Sequence, residues 1–243
     1  MTIRVLIIDD SISFSVAISQ MLKSDNIEVI GCAKSGEEGI NMTSSLHPDV
    51  ILLDIEMPGK NGLEVLPILL KMSDAPVIMC STLTNRAASA TLQSLEKGAF
   101  DYIPKNELGL RSFGNKKLQE RVEYAYEYLM KKRDQSKTQI HKPLASLAQI
   151  PHIAPKVIVM GVSTGGPLAL HSIFSQLPAL PIPIIVVQHM PHEFIPSFAE
   201  RIEEYTKYRT KVCKPQTSFL PGHIYFAPVP RALTPFYRIP HFL

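Results

Sequence analysis

The chain has 243 residues, 45% of them hydrophobic and 19% charged, an ordinary globular composition with room for two domains. Its net charge of +3 is uneven: 15 basic and 18 acidic groups up to residue 134, then 10 and 4, or −3 and +6. The absence of basic clusters argues against nucleic acid, and no apolar run approaches the about 20 residues that cross a bilayer, so no membrane insertion is expected; three cysteines without metal-ligand spacing, Cys32, Cys80 and Cys213, point to a reduced, cytoplasmic setting.

Apolar, strand-like runs at 3–8, 27–33, 49–54, 76–80 and 100–103 alternate with segments of helical period. Five such units predict an α/β fold with a five-stranded, doubly wound parallel sheet. The last helix, predicted over 115–133, places Leu118, Val122, Ala125 and Leu129 on one face for packing. Asp9 and Asp10 end the first strand, and Asp54 ends the third, just before the break at Pro58 and Gly59. The carboxyl ends of parallel strands are where open α/β sheets bind ligands, so three carboxylates can converge there. Oxygen-only ligands of this kind suit a magnesium ion, and a carboxylate beside magnesium can accept a phosphoryl group. Ser81 follows the fourth strand and Lys105 the fifth, where an ammonium could hold a phosphoryl oxygen. Taken singly, Asp9-Asp10 reads equally as a turn, Ser81 as a helix cap and Lys105 as a solvated loop charge. Their joint placement on strands one, three, four and five favours the site.

Residues 134–155 are polar, then Pro- and Ala-rich, and read as a tether with one short helix near 144–148. Beyond it, 156–162 reads as a strand, followed by Ser163-Thr164-Gly165-Gly166-Pro167 and a helix over 168–177. Gly161-Val162-Ser163-Thr164-Gly165 fits the G-x-S-x-G elbow that exposes a serine at a helix N-terminus, and also fits a glycine turn that packs a helix on a strand or cradles a phosphate. The strand 182–187 ends in Gln188-His189-Met190-Pro191-His192, so two consecutive strands deliver Ser163 and His189 to one edge as nucleophile and general base. A structural role for His189, or a metal pair with His192, are the other readings.

Asp9-Asp10, Asp54 with Met57-Pro58-Gly59 and Gly62, Ser81, Gly98-Ala99, Tyr102 and Lys105 together resemble the response-regulator receiver family over about the first 130 residues. The resemblance implies that a sensor histidine kinase phosphorylates Asp54, with Asp9, Asp10 and the backbone carbonyl of Glu56 holding Mg2+. It also implies that Ser81 and Lys105 couple the phosphorylated state to the face near Tyr102. One departure is Asn106, where the family has Pro.

The second half resembles the catalytic domain of CheB-type protein-glutamate methylesterases through residues 161–167, Gln188-His189-Met190-Pro191, Phe198-Ala199-Glu200-Arg201 and 220–228. The implied activity is demethylation, and selective glutamine deamidation, of chemoreceptor cytoplasmic helices, with Ser163 as nucleophile, Thr164 beside it and His189 as base. Three parts are therefore expected: a receiver at 1–133, a linker at 134–155, and at 156–243 the N-terminal part of a doubly wound α/β methylesterase domain, with the family match ending near 228. The family's third catalytic residue is a downstream aspartate. No aspartate follows Asp134, and Glu193, Glu200, Glu203 and Glu204 share one predicted helix. The expectation is a truncated, poorly packed catalytic unit with little or no esterase activity in a monomeric chain. The alternative is a receiver acting as a phosphate sink beside a vestigial fragment.

Overall fold

A computed structural model describes residues 2–82, 85–108, 112–137 and 155–227. The first unit alternates β1 (Ile3–Ile8), α1 (Ile12–Leu22), β2 (Ile27–Ala33), α2 (Gly36–Leu46), β3 (Val50–Asp54), α3 (Gly62–Met72), β4 (Val77–Ser81), α4 (Asn85–Glu96), β5 (Asp101–Pro104) and α5 (Ser112–Lys137). All its strands run parallel in the order β2-β1-β3-β4-β5. β3 and β4 are buried along their whole length, as strands covered on both faces must be, and this is why they read as unbroken apolar runs.

Helix starts follow from local chemistry. Ser11 and Ser35 accept from the backbone N–H groups of Phe14 and Glu38, and Asn61 with Glu64 forms a reciprocal capping box that starts α3. The expected helix at 115–133 is longer, 112–137, so the first four residues assigned to the tether are helical. The chain divides into two units between His141 and Lys142. The short helix expected near 144–148 and the tail from 228 lie outside the described residues.

The second unit contains β6 (Ile158–Val162), α6 (Gly166–Phe174), β7 (Ile184–Gln188), α7 (Ile195–Tyr205), β8 (Arg209–Val212) and β9 (His223–Phe226), with a parallel sheet in the order β6-β7-β9-β8. α6 starts two residues earlier than expected, because Gly165 takes the left-handed conformation before it and Pro167 suits its first turn. Against the expectation of poor packing, Leu170, Phe174, Ile184, Val186, Ile202 and Ile224 are at most 1% exposed, and Phe198 meets Phe226 edge-on at 5.6 Å. The opposite sheet face is less covered: Val159 and Val187, which the register and the strand alternation put on one side, are 63% and 38% exposed.

The loop after β3 folds back on that strand. Gly62 N–H donates to the Ile55 carbonyl at 3.0 Å, and a Cβ at position 62 would lie 2.1 Å from the Asp54 carbonyl oxygen, a backbone atom that cannot step aside. Gly59 has φ +74° with open space around it, so there only the backbone conformation demands glycine. Gly62→Ala is expected to destabilise the first unit by about 3 kcal/mol and Gly59→Ala by about 1 kcal/mol in equilibrium urea unfolding. Equal effects would contradict the close approach.

Candidate functional site

Register places the acidic groups. Ile8 pairs with Leu53, so Asp9 emerges beside Asp54, while Asp54 pairs with Cys80 and Ser81 with Pro104. All therefore leave one sheet edge with Lys105. Asp9 and Asp54 are buried at 2% and 3% exposure, Asp10 is exposed, and the three carboxylates offer oxygens within 4.8 Å of one another. Among the described residues this is the one such cluster of metal-binding side chains. Three hard oxygen donors, one of them open to solvent, fit a divalent ion such as Mg2+. Glu56 lines the same cleft as Asp10, and its side chain accepts from the Thr82 hydroxyl at 3.3 Å.

Lys105 binds both buried acids: its Nζ is 2.8 Å from Asp9 Oδ2 and 2.8 Å from Asp54 Oδ2. Burial pushes the Asp54 pKa up to about 6; the Lys105 hydrogen bond and charge pull it down without offsetting this, and the Asp9 charge pushes it further up. Burial works against the Lys105 charge, but its hydrogen bonds to Asp54 and Asp9 prevail and hold its pKa above the ordinary value. Asn106 follows in a short 3-10 turn, and every peptide bond among the described residues is trans. Ser81 is 1% exposed and its hydroxyl donates to the Thr82 carbonyl at 3.2 Å.

In the second unit, Val162 pairs with Gln188, and His189 N–H donates to the Val162 carbonyl at 2.9 Å. The next residue on each strand is then a neighbour: Ser163 Oγ lies 3.4 Å from His189 Nδ1, with both residues exposed and Thr164 half-buried beside them. That separation is loose for a hydrogen bond but within the range of a resting nucleophile and base. Among the described residues, no hydrogen bond joins His189 to Glu193, Glu200, Glu203 or Glu204; Glu203 instead accepts from the Thr210 N–H at 2.7 Å and pairs with Arg209 at 3.0 Å. Among the described residues, His192 belongs to no group of three metal-binding side chains. Of the elbow glycines, Gly165 is needed for φ +70°, a Cβ at Gly166 would meet Gln188 Oε1 at 2.5 Å, and Gly161 has open space.

Comparison with known proteins gives two consecutive family matches: the response regulator receiver domain over residues 5–113 and the CheB methylesterase over 158–235. The protein-glutamate methylesterase/protein-glutamine glutaminase of Bacillus subtilis is 38% identical over 238 residues, 93% of this chain and 67% of that one. The chain belongs to the CheB methylesterase family. The protein of the same name from Thermotoga maritima is also 38% identical, over 93% of this chain and 66% of its own. The chain thus spans about two thirds of the length of these curated relatives. The crystal structure of the response regulator domain of Thermotoga maritima CheB is 35% identical and covers 52% of this chain and 98% of that one, with a TM-score of 0.48.

Three residues of this methylesterase-family chain escaped the sequence reading as site components. Phe14 lies with its ring centroid 4.4 Å from Lys105 Nζ, and Thr91 donates to Ser81 Oγ at 2.8 Å. Gln188 Nε2 donates to the carbonyls of Ser163 and His189, each at 3.3 Å, and so ties the Ser163 loop to the His189 loop. Only Gln188 carried a signal, an amide closing an apolar strand.

The raised Asp54 pKa has a sign that can be tested. Folding favours the protonated acid, so without divalent ions stability falls as pH rises from about 4 to about 6 and then levels. Asp54→Asn removes this dependence. It is expected to stabilise the metal-free chain by up to about 3 kcal/mol at pH 7 and by almost nothing at pH 4, measured by urea unfolding. Equal effects at both pH values would contradict the assignment.

Proposed function

We propose that the chain is a chemotaxis response regulator whose Asp54 takes a phosphoryl group from a sensor histidine kinase, and whose Ser163 and His189 are the nucleophile and base of a protein-glutamate methylesterase and glutamine deamidase site for chemoreceptor cytoplasmic helices. The observation that carries the first part is the Lys105 ammonium, 2.8 Å from both buried carboxylates, which is positioned to take one oxygen of an incoming phosphoryl group. In the transfer the donor's N–P bond breaks as an Asp54 oxygen bonds to phosphorus, and the donor imidazole leaves. Asp9, Asp10, Asp54 and the Glu56 carbonyl are the groups that would hold Mg2+, which when bound neutralises charge on the phosphoryl oxygens.

For the ester, Ser163 Oγ attacks the glutamyl carbonyl as its proton passes to His189. Methanol leaves with that proton, and water, deprotonated by His189, releases glutamate and regenerates the serine. The Gln188 amide holds both loops in register for this. The positive end of α6 lies near the developing oxyanion.

The second reading, a phosphate sink, is favoured by one observation: among the described residues no carboxylate orients His189. In serine proteases, replacing the orienting aspartate lowers turnover by about four orders of magnitude. The expected outcome is labelling by a phosphorylated kinase that Asp54→Asn abolishes, with methanol release from methylated receptor that is slow but above background and is lost in Ser163→Ala. Rapid release that Ser163→Ala abolishes would overturn the sink reading; labelling that survives Asp54→Asn would overturn the phosphoacceptor assignment.

A further inference from the structure

Ser81 is joined to α4 by a bond that the phosphoacceptor reading does not use. Thr91 projects from the middle of α4, fully buried, and its hydroxyl donates to Ser81 Oγ at 2.8 Å, while the Ser81 proton goes to the Thr82 carbonyl at 3.2 Å. One turn on, Ser94, also buried, donates to the Thr91 carbonyl at 2.6 Å. A hydroxyl has a single proton. To donate to a phosphoryl oxygen on Asp54, Ser81 must give up the Thr82 carbonyl; in the switch proposed below it does so by turning about χ1, which would carry its oxygen out of the Thr91 geometry. The Thr91–Ser81 bond therefore belongs to the unphosphorylated arrangement alone, and a bond made in only one of two states biases the equilibrium between them.

We propose that Thr91 is a positioning residue that latches Ser81 in its unphosphorylated rotamer, so that phosphorylation at Asp54 reaches α4 by breaking this bond. The proposal rests on the reading of Asp54 as phosphoacceptor and Ser81 as the group that meets the phosphoryl oxygen. Thr91→Val keeps the shape of the side chain and removes the donor. The phosphorylated arrangement then no longer competes with one buried neutral hydrogen bond, worth about fivefold in an equilibrium constant.

The test is the affinity of the full chain for beryllium trifluoride in Mg2+, a stand-in for the phosphoryl group, titrated by intrinsic tyrosine fluorescence. Thr91→Val is expected to bind about fivefold more tightly, and Thr91→Ser, which restores the hydroxyl, like the unmodified chain. In a Ser81→Ala background, Thr91→Val is expected to change nothing, because the coupling needs both hydroxyls. Should Thr91→Val not fold, Thr91→Ala carries the same expectations. Unchanged or weaker binding by Thr91→Val, or an equal gain with and without Ser81, overturns the latch alone. A chain that binds no beryllium trifluoride, or binds it equally well as Asp54→Asn, overturns the phosphoacceptor reading and the latch with it.

Discussion

The ammonium of Lys105 is the constraint on which the first unit depends. Parallel pairing of β1 with β3 forces Asp9 and Asp54 out of the sheet side by side, almost fully buried, and two like charges in that setting repel. One cation held between them offsets both, and the Phe14 ring beneath it helps shield the pair from water. The balance is incomplete, because burial still holds Asp54 near a pKa of about 6. A site in this state has room for more positive charge and for an oxyanion that shares the lysine, which is the demand of phosphoryl transfer onto a carboxylate. Removing the lysine would leave two buried carboxylates uncompensated, so structure and chemistry rest on the same three groups.

The second unit solves a smaller geometric problem by the same means. Parallel register, with Val162 opposite Gln188, sets the next residues of β6 and β7 beside each other, and these are Ser163 and His189. No long excursion of chain is needed to bring the hydroxyl to the imidazole. The Gln188 amide then links both loops, and a side chain at 166 would press on that amide and displace it. The packed face of this sheet gives the pair a firm footing, while Val159 and Val187 on the other face stand partly open.

Much of this was legible in the sequence, for a physical reason. Strands buried on both faces read as continuous apolar runs, so a charged or polar residue that ends one marks the sheet edge where chemistry occurs; Asp9, Asp54, Ser81, Lys105, Ser163 and His189 all stood out in this way. Phe14 and Thr91 did not, because each meets the site by tertiary approach from a helix whose own pattern says only that it packs. The end of α5 was misjudged for a related reason. Residues 134–137 read as solvated tether in composition, yet they continue a helix whose preceding turn is tied by Lys132 to Asp74 at 2.8 Å, a contact no local pattern announces. The poor packing expected of the second unit failed on one face, since α6, α7 and β9 supply enough large apolar groups to close a core among themselves.

The most direct test of the central claim is chemical trapping. The chain, incubated with a small-molecule phosphodonor and Mg2+, is reduced with borohydride, which converts an aspartyl phosphate to homoserine, and the modified residue is located by peptide mass spectrometry. Homoserine is expected at position 54 and lost on Lys105→Ala; homoserine at Asp9 or Asp10, or at no position, would contradict phosphorylation at Asp54.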